Sequence, residues 1–160
     1  QQRNIRYDLI EAVLQIRPSD RAESKALPVE QLKLAEFLGK HLETDIFKRS
    51  VEAIVRAANI SYKYPNKIAK NMDQSALKLT EEKNFFTALQ PILNSDQQAR
   101  WNPENYLKQL HAIEPVVTRF FEDVMVMDED PVKCGNRLWL CSRLAEWSGR
   151  HLDLRAIVFA

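Results

Sequence analysis

Glycine is scarce, at three residues in 160. That is too few for an all-β sandwich with its many tight turns, or for glycine-rich phosphate loops. None of the patterns Gly-x-x-x-x-Gly-Lys-Ser/Thr, Gly-x-Gly-x-x-Gly or Gly-x-Ser-x-Gly occurs, so the common nucleotide-binding and hydrolase signatures are missing. Cysteine is scarcer still. Cys134 and Cys141 cannot build a disulfide framework or a zinc site by themselves. On one helix they stand two turns, about 10 Å, apart, beyond disulfide reach, which suits reduced thiols in a cytoplasmic protein. No apolar run approaches the roughly 18–20 residues that cross a bilayer, and nothing at the start reads as a signal peptide. The chain opens on Gln1-Gln2-Arg3 and is expected to be a fragment of a longer protein, with residues 1–160 forming one helical domain. His41, His111 and His151 lack the Glu-x-x-His or His-x-x-x-His spacing of metal-binding helices, so no metal site and no catalytic residue is assigned.

Excess charge of one sign is also lacking, since the net charge is +1. The balance conceals an asymmetry. Residues 1–80 carry 14 Lys and Arg against 10 Asp and Glu, whereas residues 81–160 carry 9 against 12. Indiscriminate coating of nucleic acid is excluded, but a local polyanion-binding face in the basic half is not.

What the chain does have is helical periodicity. Ile5, Leu9, Ile10, Val13 and Leu14 fit one helix between Asn4 as cap and Pro18. Asp20 and Glu23 have capping-box spacing for a short helix interrupted by Pro28. Val29, Leu32, Leu34, Ala35, Leu38 and Leu42 continue as an amphipathic helix. Phe47, Val51, Ile54, Val55 and Ala58 give the cleanest stripe, which must end near Tyr64 because a residue before proline is pushed out of the α region. Thr80 is expected to cap a helix through Phe85, Phe86, Leu89 and Leu93, with Pro91 bending its end. Asn102-Pro103 and Asp130-Pro131 are cap-plus-proline starts. Pro115, which lacks an N–H for residue 111, is expected to split the region between them into two helices. The second of these carries Val116, Val117, Phe120, Phe121, Val124 and Met125. Leu138, Leu140, Cys141, Leu144 and Trp147 mark the last helix, with Gly149 as its stop. The expected fold is all-α, a bundle of about seven to eight helices.

One stretch stands out chemically. From Lys48 to Lys70 six cations (Lys48, Arg49, Arg56, Lys63, Lys67, Lys70) face one acid, Glu52. Tyr62 and Tyr64 interleave with Asn59, Ser61 and Asn66. Cations attract phosphate, aromatic rings stack on unpaired bases, and amides read base edges. That combination suits a single-stranded RNA loop better than a duplex. The acidic residues Asp128-Glu129-Asp130 read as a solvated turn whose last acid caps the next helix. Val124-Met125-Val126-Met127 reads as packing, and Trp139 and Trp147 as core or interface anchors.

The C-terminal third carries a family resemblance. Pro115-Val-Val-Thr-Arg-Phe-Phe-Glu-Asp-Val-Met-Val-Met127, the acidic turn after it and Asn136-Arg137-Leu138 resemble the end of the β chain of bacterial-type glycyl-tRNA synthetase. That family shows a Phe-Phe-Asp-x-Val-x-Val-Met run, an acidic turn and an Asn-Arg-Leu-x-Leu-Leu helix. Tyr7-Asp8-Leu9-Ile10-Glu11-Ala12-Val13-Leu14 is similar to the opening of the same region, and Arg56-Ala-Ala-Asn59-Ile60 to its basic-x-x-Asn-Ile stretch. Asp153-Leu154 matches the tail, with Arg155 where serine is usual, and Cys134-Gly135 stands where a charged helical pair is common.

The resemblance implies a helical anticodon-binding domain akin to the one that ends arginyl-tRNA synthetase. It implies glycine tRNA and the catalytic α chain or α portion of the synthetase as partners, and no membrane. It also implies that glycine activation, with its ATP and magnesium, happens outside this domain, which needs no cofactor of its own. Glycine anticodons share two adjacent cytosines, whose pairing edge offers an amino donor and two acceptors. Arg56 and Asn59 are candidate base readers, Tyr62 and Tyr64 candidate stacking platforms, and Lys63 and Lys67 candidate phosphate contacts. Asn136 and Arg137 are expected to be structural, with Arg137 bridging to Asp128 or Asp130 and Asn136 satisfying turn carbonyls; a role at the RNA is their alternative. Two other classes compete: a helical protein–protein interaction module using Trp139, Trp147 and the methionine run, and a metal-dependent helical phosphohydrolase, for which the adjacent His-Asp pair is missing.

Overall fold

The computed structural model describes residues 5–14, 29–95 and 101–159. These contain six α-helices and no strand: α1 (Tyr7–Leu14), α2 (Val29–Gly39), α3 (Asp45–Lys63), α4 (Thr80–Ser95), α5 (Pro103–Asp123) and α6 (Pro131–Gly149). Short 3-10 turns lie at Pro65–Lys67, Gln74–Ala76 and Leu154–Ala156. The all-α class is as expected, with fewer helices than seven or eight. The expected cap at Asn4, the stop at Pro18, and the short helix of Asp20 and Glu23 lie outside the described residues.

Helix α3 is the centre of the bundle, packed on both α5 and α6. Its buried face carries Phe47, Val51, Ile54 and Ala58 together with the small residues Ser50, Ala53, Ala57 and Ser61. Small side chains let neighbouring helices approach closely, and the two hydroxyls are satisfied within the helix. Ser50 donates to the Ile46 carbonyl at 2.7 Å and Ser61 to the Ala58 carbonyl at 2.9 Å. The helix ends where the proline rule requires: Tyr64 leaves the helical region at φ −126°, ψ 52°, directly before Pro65.

Helix α5 corrects the expectation of a break. It runs unbroken from Pro103 to Asp123 through Pro115. An interior proline costs about 3 kcal/mol, but Val117, Phe120 and Phe121 beyond it are all buried in the common core. Each such side chain contributes about 1.5–3 kcal/mol, so a continuous stripe outweighs the lost hydrogen bond. Helix α4 likewise continues through Pro91 to Ser95.

Helix starts follow local chemistry. Asn102 accepts from the Asn105 N–H at 3.1 Å, and Asp130 accepts from Val132 and Lys133, each with proline next in line. At α4 the expected cap is corrected. Thr80 is the first helical residue, and the carboxylate of Glu82 takes the N–H groups of Lys78 and Leu79 at 3.0 and 2.9 Å. This is the reach-back half of a capping box, supplied by an acid on the third residue of the helix. Two ends differ from expectation as well. Gly149 is the last residue of α6, but Arg150 after it keeps right-handed helical angles, so no left-handed glycine cap forms. Helix α2 stops at Gly39, leaving Leu42 in the following turn.

Residues 124–127 lie beyond α5 and alternate instead of following a helical face: Val124 and Val126 are buried, while Met125 is 75% exposed. The C-terminal tail closes the bundle against α1. Asp153 donates its N–H to the Ala12 carbonyl at 2.8 Å, and Val158 donates to the Asp8 carboxylate at 2.8 Å. Arg6 binds the same carboxylate and the Val158 carbonyl. Burial alone would raise the Asp8 carboxyl, but the Val158 N–H and the Arg6 guanidinium hold it below its ordinary value. Cys134 and Cys141 are both buried free thiols, and burial pushes the Cys141 thiol well up.

Candidate nucleic-acid interface

The exposed face of α3 carries Glu52, Arg56, Asn59 and Lys63 in one line, at spacings of four, three and four residues. Tyr62 sits beside the lower end of this line and is 55% exposed. Beyond the helix, Tyr64 is half-buried, with the Lys63 and Lys67 ammonium groups 5.4 and 5.6 Å from its ring centre. Four of the candidate residues, Tyr62, Lys63, Tyr64 and Lys67, therefore meet at the C-terminal end of α3. Asn59 and Arg56 lie one and two turns back along the same face.

The neighbours modify individual roles. The Arg56 guanidinium lies over the Phe121 ring at 4.6 Å, so it also ties α3 to α5. The Arg155 guanidinium lies over the Tyr62 ring at 4.9 Å. It is held there by two hydrogen bonds to the Asp153 carboxylate, at 2.9 and 3.0 Å, and Asp153 in turn accepts from the Arg155 N–H to start the last 3-10 turn. Arg155 is not among the candidates read from the sequence, yet it touches one of them. Its signal was present, as an arginine in place of the usual serine, but nothing local in the sequence joins position 155 to position 62. Arg49, counted among the cations of this stretch, points to α5, where its Nε lies 3.7 Å from Glu114.

Asn136 and Arg137 lie behind this surface, 1% and 5% exposed. Arg137 donates from Nε to Glu82 at 2.6 Å and from Nη1 to Asp128 at 3.0 Å and the Met125 carbonyl at 2.8 Å. Asn136 bonds in both directions to the backbone of Asp73, accepting its N–H at 3.1 Å and donating to its carbonyl at 2.8 Å. The partner of Asn136 is thus the loop before α4 and not the acidic turn. The acidic turn has its own bonds: Asp128 accepts from the Asp130 N–H and from Arg137, and these hold its carboxyl low.

The arrangement combines cations, one exposed and one half-buried tyrosine, and an exposed amide on a preformed helix end. The chemistry of such a surface, cations with aromatic rings and an amide, is that used to hold single-stranded nucleic acid through phosphate, stacking and edge contacts together.

The comparison with known families agrees. Residues 51–154 match the family model described as the DALR anticodon binding domain, and the chain belongs to that family, whose role is recognition of the tRNA anticodon. Among similar proteins is the glycine–tRNA ligase beta subunit of Streptococcus pyogenes serotype M2 (strain MGAS10270), 33% identical over 129 residues, which are 81% of this chain and 18% of that protein. The beta subunit of Lactobacillus delbrueckii subsp. bulgaricus (strain ATCC BAA-365 / Lb-18) is 29% identical over 158 residues, 99% of this chain and 21% of that protein. That of Streptococcus pneumoniae (strain P1031) is 32% identical over 139 residues, 87% and 18% respectively. The chain spans about a fifth of the length of these relatives.

Proposed function

We propose that this domain binds the anticodon loop of glycine tRNA and supports a glycylation reaction carried out elsewhere in the same synthetase. The observation that carries this reading is the convergence of Tyr62, Lys63, Tyr64 and Lys67 at the end of α3, with Arg56 and Asn59 in line above them. In this reading Lys63 and Lys67 contact phosphates, Tyr62 and Tyr64 stack on unpaired bases, and Asn59 and Arg56 address the cytosine edges. Arg155 fixes the Tyr62 ring and adds a cation beside it. The α portion of the synthetase, with ATP and magnesium, performs the chemistry in the cytoplasm.

The relatives' shared name supports the choice of glycine. The interaction-module alternative has lost an anchor, because Trp147 is 3% exposed and stacks on Tyr106 with ring centres 4.9 Å apart. Filter binding of this chain to glycine tRNA and to an unrelated tRNA, at two salt concentrations, tests the proposal. Tighter binding to glycine tRNA that weakens steeply with salt is the expected result. Equal binding to both tRNAs, or binding insensitive to salt, overturns it.

A further inference from the structure

The loop between α3 and α4 has little to hold it in place by itself. No residue from 64 to 73 is fully buried, although Tyr64, Ile68 and Met72 lean half-buried on the core, and its regular structure is limited to the 3-10 turns Pro65–Lys67 and Gln74–Ala76. Its backbone is tied by hydrogen bonds at two points on α6. The Ala69 N–H donates to the Gly135 carbonyl at 3.1 Å, and Asn136 takes both backbone groups of Asp73. The approach at the first point is close. A β-carbon on residue 135 would stand 3.3 Å from the Ala69 β-carbon and 3.3 Å from the Lys67 carbonyl oxygen. Glycine is a poorer helix former than alanine, so position 135 gives up helix propensity on the buried side of α6 and gains room for the loop.

We infer that Gly135 and Asn136 are positioning residues for RNA binding, which clamp the 64–73 loop so that Tyr64 and Lys67 stand ready beside Lys63 before the tRNA arrives. The inference rests on the site reading above and deepens it. The physical benefit is preorganisation: a loop already ordered in the free protein does not lose that entropy on binding. The element that presents Lys67 is then set by α6, which supplies none of the six proposed contacts.

A double-mutant cycle on tRNA binding tests this, using Gly135→Val, Lys67→Ala and the pair. Gly135→Val should weaken binding about tenfold, and Lys67→Ala should then add less than about twofold, because its cation has already been displaced; residues acting through one another are not additive. Gly135→Ala supplies a readout that a purely structural role would not give. Its melting temperature should hold or rise, since alanine favours the helix, while tRNA affinity falls. Asn136→Ala should speed hydrogen exchange at the Asp73 amide and weaken binding in parallel. If Gly135→Val fails the circular dichroism check, Gly135→Ala carries the cycle. Full additivity, or wild-type affinity in the Gly135 variants while Lys67→Ala still weakens binding, overturns the clamp alone. Wild-type affinity in Lys67→Ala overturns the site reading and the clamp with it.

Discussion

Arg137 and Glu82 are 55 positions apart in the chain and meet at 2.6 Å, Nε to Oε1, with both side chains almost wholly buried. One carboxylate thus does two things: its other oxygen takes the N–H groups that open α4. One guanidinium does the same, since Arg137 also fixes the Met125 carbonyl and Asp128. Three helix ends, the start of α4, the end of α5 and the start of α6, are joined through this pair.

Removing Arg137 leaves the buried Glu82 carboxylate without an ion-pair partner, and removing Glu82 leaves Arg137 paired only with the more exposed Asp128. Arg137→Ala or Glu82→Ala should cost about 3–5 kcal/mol and lower the melting temperature by roughly 10 °C for a chain of this size. Thermal unfolding followed by circular dichroism measures it. An Arg137→Ala variant with wild-type stability but no tRNA binding would assign the residue to the RNA surface instead.

Pro115 gives a prediction of opposite sign. Helix α5 carries this proline in mid-run, and replacing it by alanine restores the N–H that residue 111 lacks. Pro115→Ala should stabilise the domain by up to about 3 kcal/mol, read from urea unfolding. A loss of stability would show that the helix requires the proline.

The join of α1 to the tail should be acid-sensitive. The Asp8 carboxyl is held below its ordinary value by the Val158 N–H and Arg6. Its contribution is therefore complete above about pH 4 and is lost as pH falls through the lowered value. Asp8→Asn should reduce stability at neutral pH and flatten the fall in melting temperature below about pH 4. The comparison needs only thermal melts of the two proteins across that range.

Lys67 and Tyr64 should separate two kinds of contact. Lys67→Ala should weaken all tRNAs alike and lower the salt slope by about one. Tyr64→Ala should weaken binding to an anticodon stem-loop by roughly ten- to a hundredfold, with little change in the slope. Fluorescence anisotropy at several salt concentrations distinguishes them.

Much of this was legible in the chain itself. The stripe from Phe47 to Ala58, the break before Pro65 and the two cap-plus-proline starts are local rules, and the fold obeys them. Pro115 was misread because its neighbours' burial is decided by α3 and α4, not by the helix that contains it. Thr80 has the residue type of a cap, whereas the acid that does the capping, Glu82, stands two residues after it and three before the apolar stripe that starts at Phe85. At the candidate site, the types and spacing of the residues of α3 and its loop picked out Arg56, Asn59, Tyr62, Lys63, Tyr64 and Lys67, and the fold brings Tyr62, Lys63, Tyr64 and Lys67 to one helix end. Arg155 was not picked out, nor the role of Gly135, because both depend on contacts made across more than sixty residues of chain.

The most direct measurement is the affinity of the wild-type chain and of Asn59→Ala for a glycine anticodon stem-loop and for the same stem-loop with its two cytosines replaced, with folding checked by circular dichroism. The wild-type chain should prefer the cytosine loop, and Asn59→Ala should lose most of that preference while keeping its affinity for the altered loop. Full cytosine preference in Asn59→Ala would move the reading surface off α3, and no preference in the wild-type chain would contradict anticodon reading by this domain.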